Sequence, residues 1–199
     1  MSTFRFAIMG AGNIAHQFCD AVTLVEDCEV SAIASKDLGR AQKFAEECSV
    51  AHAYDNYEQM LIEEKPDCVY IAVTPNDHFR LTMLCLEHHV PVLCEKAMFT
   101  NSAEAKAVFE KAEKDQTFVM EAMWSRFLPA VNQAKKWAAE GKIGRLEALQ
   151  GRIGFLAPEG ADNRYHSPLL CGGAATDITV YAYEICLLYT SPSPRDMRR

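Results

Sequence analysis

The chain has 199 residues, 49% hydrophobic and 24% charged, enough to bury one full core and part of a second. Its formal net charge of -7 gives no long-range attraction for phosphate backbones or anionic membranes, so neither nucleic acid nor a membrane is an expected partner, although a local basic pocket could still hold one phosphate. The first apolar stretch, Phe6 to Met9, is too short for a signal-peptide core, and no later run approaches the roughly 18 to 20 apolar residues that span a bilayer, so a cytoplasmic location is expected.

From the start of the chain to about Met120, short apolar runs alternate with longer helical patterns, which predicts an α/β fold with a doubly wound parallel sheet covered by helices. The expected strands are Phe4 to Met9, Glu29 to Ser35, a short one near Ala51 to Ala53, Cys68 to Val73, Pro91 to Cys94 and Phe118 to Glu121. Between the last two, Ala105, Val108, Phe109 and Ala112 fall at helical spacing, with Asn101 as cap and Glu104 as its return partner. Beyond Met120 the pattern changes. Leu128 to Glu140 reads as an amphipathic helix, Arg145 to Phe155 alternates like a half-exposed strand, and a last short helix is expected from Ala174 to Glu184. The organisation implied is a dinucleotide-binding domain over 1–121 and the start of an α+β second domain over 122–186.

Eight cysteines are scattered along the chain with no C-x-x-C pair, so they read as small buried hydrophobes in a reducing compartment. The adjacent His88 and His89 have no thiol or acidic partner at ligand spacing and read as surface or capping residues; no metal site is expected.

Gly10-Ala11-Gly12-Asn13-Ile14-Ala15 follows the first strand directly and opens the first helix, matching G-x-G-x-x-[G/A] in the context that gives the motif meaning. Gly10 permits the tight turn and Gly12 lets backbone approach a pyrophosphate. The N–H groups at the helix start, those of Asn13 and Ile14 among them, then favour the bound anion. The adenosine ribose should be read about 20 residues further on, where an acidic side chain would repel a 2′-phosphate. Here the second strand ends in Ser35 and Lys36, with Arg40 one helical turn later. That set favours NADP over NAD; Asp37 is the counterargument, and Lys36 and Arg40 read equally as solvated charges.

Ligands of open parallel sheets bind beyond the carboxyl ends of the strands. Those ends carry Gly10, then Ser35 and Lys36, then Thr74, Pro75 and Asn76 with His78, then Glu95 and Lys96. A lysine leaving the strand at 96 would lie near the nicotinamide. On the expected last helix, Asp177 and Tyr181 are four apart and share a face after Gly172-Gly173. A tyrosine serves as proton donor or acceptor during hydride transfer if a neighbouring ammonium stabilises its phenolate, and Lys96 could supply one.

Five segments carry a resemblance: AIMGAGNIA over 7–15, VTPNDH over 73–78, VLCEK over 92–96, MEAMWSRFLP over 120–129 and GGAATDITVY over 172–181. In this order they resemble the glucose-fructose oxidoreductase and inositol dehydrogenase (Gfo/Idh/MocA) family, and within it the branch of dimeric dihydrodiol and NADP-dependent D-xylose dehydrogenases. The resemblance implies hydride transfer between NADP(H), or NAD(H), and a hydroxyl-bearing carbon of a sugar, cyclic polyol or trans-dihydrodiol. It makes Tyr181 the general acid and base, Lys96 the group that tunes it and holds the substrate oxygen, and Asp177 a residue positioning substrate or helix. Trp124, Arg126 and Phe155 would line the substrate pocket. Two positions depart from the pattern: Ala97 stands where the family has proline, and Cys171 where it has a first glycine. A catalytically inactive cofactor-binding regulator is the alternative class. Family members are longer and commonly homodimers or larger homo-oligomers, so the resemblance also implies a truncated chain, native to about residue 186, with a foreign, disordered tail over 187–199 and little activity of its own.

Overall fold

The computed structural model describes residues 3–160 and 163–189, which form two compact units, one ending at Ala122 and one beginning at Met123. In the first unit six strands alternate with five helices: β1 (Phe4–Met9), α1 (Asn13–Val22), β2 (Cys28–Ala34), α2 (Leu38–Cys48), β3 (His52–Tyr54), α3 (Tyr57–Glu64), β4 (Cys68–Ile71), α4 (Pro75–Glu87), β5 (Val92–Cys94), α5 (Ser102–Lys114) and β6 (Val119–Glu121). All strand pairs are parallel, in the order β3-β2-β1-β4-β5-β6, the doubly wound arrangement expected from the alternation.

Period-two alternation assigns each strand residue to one of two cores. Ile8, Ile33, Tyr70 and Ala72 meet Ala15 and Cys19 of α1 and Phe44 of α2 on one face. On the other, Ala7, Met9, Ala32, Val69 and Ile71 meet Met60 and Leu61 of α3 and Leu81 and Cys85 of α4. A strand so placed is buried on both sides, which is why the inner stretches over 6–9, 32–34 and 68–71 read as apolar runs. Four of the eight cysteines are buried in the first unit, where burial lifts the thiols of Cys19 and Cys68 to about 12 and those of Cys85 and Cys94 well above their ordinary range; the expectation of burial is corrected for Cys28, Cys48 and Cys171, which are half-buried, and for Cys186, which is exposed.

Helix boundaries follow their caps. Asp37 accepts from the Arg40 N–H, Asn56 from that of Gln59, and Asn101 from those of Ala103 and Glu104. The expected return bond from Glu104 goes elsewhere, since its carboxylate accepts from the backbone N–H and hydroxyl of Thr100 rather than from Asn101. Pro75 sits in the first turn of α4, where a missing N–H costs nothing.

A buried carboxylate ties the amino end of the sheet to α3. Glu64 accepts from Arg5 Nη2 at 2.8 Å and from the Tyr54 hydroxyl at 2.7 Å, while Arg5 Nη1 donates to the Glu64 carbonyl at 2.8 Å. Glu64→Gln keeps the volume but loses the charge that Arg5 faces. It should lower stability by about 2 kcal/mol in urea unfolding; an unchanged midpoint would show the network to be energetically idle.

The second unit holds a 3-10 turn at Trp124–Phe127, α6 (Pro129–Ala139), a 3-10 turn at Pro168–Leu170, α7 (Ala174–Asp177) and α8 (Thr179–Tyr189). Two expectations are corrected here. Arg145 to Phe155 forms no strand; alternation alone does not make one, because a strand needs a ladder partner, and β6 is the last strand among the described residues. The single last helix is two, broken at Ile178 (φ -121°, ψ -37°). Helix α8 is described through Tyr189, its sequence offering neither glycine nor proline to stop it. Residues 190–199 lie outside the described residues. Among the described residues, no helix is long and apolar enough to cross a membrane.

Candidate active site

Strand β1 runs straight into the glycine loop, whose two glycines serve different ends. Gly10 has φ +110°, and a β-carbon there would lie 2.7 Å from the Ala72 carbonyl oxygen and 2.9 Å from Val73 Cγ1. The protein itself fills that space. Gly12, the N-cap of α1, has an ordinary extended backbone (φ -105°), and the nearest atom to its β-carbon would be 4.0 Å away. Its side is open, so a pyrophosphate can approach the backbone there. No side chain caps α1, and the exposed Asn13 and Ile14 present the first N–H groups of the helix, a cradle with the chemistry of an anion site.

At the end of β2, Ser35 is buried and its N–H donates to the Tyr54 carbonyl, while Lys36, Asp37 and Arg40 are exposed. Asp37 is occupied as the cap of α2. Arg40 Nη2 donates to the Ala11 carbonyl at 3.2 Å, bracing the glycine loop, and Lys36 Nζ donates to Asp77 Oδ2. Burial pushes the Asp77 carboxyl up, but Lys36 and then Arg80 outweigh it and hold the group below its ordinary value.

The next two strand exits carry Thr74, Pro75, Asn76 and His78, then Glu95 and Lys96. Thr74 is the N-cap of α4, and Asn76 is exposed on its first turn. His78 turns inward, correcting its expected place on the ligand rim: it is fully buried, with Nδ1 3.0 Å from the Ala97 carbonyl oxygen and Nε2 3.0 Å from that of Val73. Burial lowers its pKa. Its ring joins the loop after β4 to the segment after β5. Glu95 likewise points both carboxylate oxygens into the protein, accepting from the Tyr70 hydroxyl at 2.6 Å and from the Lys96 N–H at 3.2 Å. Glu121, at the end of β6, accepts from the Met98 N–H at 2.9 Å. The segment over 95–98 is thus pinned from three neighbouring elements, with a cis peptide between Lys96 and Ala97.

In the second unit, Tyr181 is buried and its hydroxyl oxygen accepts from Trp124 Nε1 at 2.8 Å, with the rings edge-on. Asp177 lies on α7 and Tyr181 on α8, so the expected shared helix face does not form; the Asp177 carboxylate is 3.9 Å from Arg164 Nη1. Arg126 Nε donates to Glu184 Oε1 at 2.8 Å, and the Ser125 hydroxyl donates to the other oxygen of that buried carboxylate. Glu184 was not among the expected site residues. Its signal was a lone acid between Tyr183 and Ile185 in an apolar helix. Phe155 is exposed and packs edge-on against Tyr165. Cys171 adopts φ +57°, a left-handed conformation suited to the glycine it replaces.

Comparison with known proteins places this geometry. The chain is 32% identical over 196 residues to trans-1,2-dihydrobenzene-1,2-diol dehydrogenase of Mus musculus, an alignment covering 96% of this chain and 57% of that protein. To the enzyme of the same name from Bos taurus it is 34% identical over 189 residues, covering 94% and 55%. The chain therefore spans little more than half the length of these relatives. Among solved structures, an NAD-binding protein from Listeria innocua aligns with a TM-score of 0.85 at 22% identity, covering 96% of this chain and 56% of that one. A variant of the 3-ketoreductase KijD10 from Actinomadura kijaniata, solved with TDP-benzene and NADP, aligns with a TM-score of 0.83 at 23% identity, covering 94% and 57%. Both likenesses are of fold. Residues 4–123 match the oxidoreductase family with an NAD-binding Rossmann fold, so the chain belongs to the Gfo/Idh/MocA family.

Proposed function

We propose that this protein is a dehydrogenase that moves a hydride between NADP(H) and a hydroxyl-bearing carbon of a sugar, cyclic polyol or trans-dihydrodiol. The observation that carries the reading is Lys96 leaving β5 at the same sheet edge as the Gly10–Gly12 cradle, with its segment pinned on three sides. When bound, the nicotinamide supplies or takes the hydride. Lys96 holds the oxygen of the reacting carbon, and Tyr181 gives that oxygen its proton in reduction and removes it in oxidation. Because an indole N–H only donates, the Trp124 bond uses the Tyr181 oxygen as acceptor and leaves the phenol's own proton out of that bond. Asp177 positions the substrate or the helix that carries Tyr181; Trp124, Arg126 and Phe155 contribute to a substrate pocket, Arg126 with its guanidinium steadied by Glu184. The dihydrodiol dehydrogenases among its relatives support this substrate class. A homodimer in the cytoplasm is part of the same reading.

NADP is proposed over NAD because both carboxylates near the end of β2 are engaged, Asp37 in capping α2 and Asp77 with Lys36, whereas Lys36 and Arg40 remain at the surface there. Lys36→Met keeps the apolar stem and removes the charge. It should weaken NADPH binding by about tenfold and leave NADH binding nearly unchanged, as read by fluorescence titration. Equal loss for both cofactors, or an unmutated protein that prefers NADH, overturns the NADP assignment.

A further inference from the structure

The cofactor reading above assigns no role to Tyr70, yet this residue lies between its two ends. The Tyr70 ring stacks on Phe18 of α1, the helix whose start forms the anion cradle, at 4.0 Å between centroids and 19° between planes. Its hydroxyl donates to Glu95 Oε1, and Glu95 Oε2 accepts the Lys96 N–H. We propose that Tyr70 is a positioning residue: through the Glu95 carboxylate it fixes the Lys96 backbone at the cofactor rim, and so sets cofactor affinity without touching the cofactor. The inference rests on the cofactor reading proposed above.

The brace depends on charge. An ionised carboxylate accepts from both donors through charge-assisted bonds, whereas a protonated one keeps only the weaker acceptor capacity of a neutral acid and grips them less firmly. The groups facing Glu95 are the Tyr70 phenol from β4, Glu121 from β6, and Lys96 and Cys94 of its own segment. Burial lifts the Glu95 carboxyl above its ordinary value and Glu121 adds to that, while the Tyr70 hydroxyl, the Lys96 N–H and the Lys96 charge pull it back. Removing the Tyr70 hydroxyl therefore raises Glu95 further. The carboxylate form, which holds Lys96, is then lost at a higher pH.

The experiment titrates this chain with NADPH and with NADH by fluorescence between about pH 5 and pH 8, for the unmutated protein, Tyr70→Phe and Glu95→Gln, with a thermal melt as folding control. Tyr70→Phe keeps the ring on Phe18, so the fold should persist. Its acid-side loss of affinity should move up by about half to one pH unit, by the same amount for both cofactors. Glu95→Gln should bind about three- to tenfold more weakly near pH 7 and lose that acid limb. Titrations of Tyr70→Phe that superimpose on the parent overturn the inference, as does a Glu95→Gln protein that keeps the limb. If Tyr70→Phe does not fold, the Glu95→Gln profile decides alone. Failure of the unmutated protein to bind either cofactor at any pH overturns the cofactor reading, and this inference with it, and is distinct from binding that ignores the two substitutions.

Discussion

Gly10→Ala should unfold the first unit or lower its melting temperature by about 10 °C or more, whereas Gly12→Ala should fold nearly as well as the parent and fail to bind cofactor. At Gly10 the added methyl meets a backbone carbonyl at 2.7 Å and demands φ +110° from an L-residue. Left-handed strain of about 1–3 kcal/mol and overpacking of similar size add, against a typical total stability of only about 5–15 kcal/mol. The carbonyl belongs to Ala72, held by its own N–H bond to Met9, so it has no cheap way to yield. At Gly12 the same methyl has 4.0 Å of clearance and an extended backbone, and costs at most about 1 kcal/mol for an alanine N-cap. It takes the space through which a pyrophosphate would reach the helix start, and should weaken NADPH at least about tenfold. Thermal melts and NADPH titrations of the two variants separate the effects. Equal destabilisation by both, or normal binding by Gly12→Ala, would remove the distinction between the packed glycine and the open one.

Tyr181→Phe should lower the turnover number of catalytically active protein by roughly two to four orders of magnitude, the range for losing a general acid or base. Cofactor affinity should hardly move. The ring stays in place, and the Trp124 indole N–H that loses its acceptor belongs to a residue 56% exposed, so water replaces the phenol oxygen. A steady-state comparison of kcat with the NADPH dissociation constant tests this. Turnover within a few-fold of the parent would assign the proton to another group.

Legibility in the sequence depended on how local each determinant is. The strands from Phe4 to Glu121 were readable because sheets covered on both faces select short, mainly apolar runs, and the glycine loop because its backbone demand is met within six residues. The Asn101 cap was equally local; the partner of Glu104 is local as well, but spacing does not choose it, since Thr100 offers two donors in competition with the Asn101 N–H. The inward turn of His78 depends on carbonyls at 73 and 97, and only the latter lies far off in sequence. Spacing therefore marked His78 as a residue of the rim but not which way it faces. Arg145 to Phe155 had the right period and, among the described residues, no partner strand, a fact that alternation does not carry. The break at Ile178 was hidden because Asp177 and Tyr181 stand at perfect helical spacing, while the left-handed Cys171 and the bonds from Thr176 to the Cys171 and Gly173 carbonyls belong to the turn before them.

The pinning of residues 95–98 has a consequence for how such a protein diversifies. The braces described above, from Tyr70 through Glu95, from His78 and from Glu121, originate between residues 70 and 121, within the first unit. The lysine's setting is thus inherited with that unit as a module. Under the function proposed above, a change beyond Ala122 leaves these braces on the Lys96 backbone in place, so selection for a new substrate and selection for this backbone setting act on separate stretches of the gene.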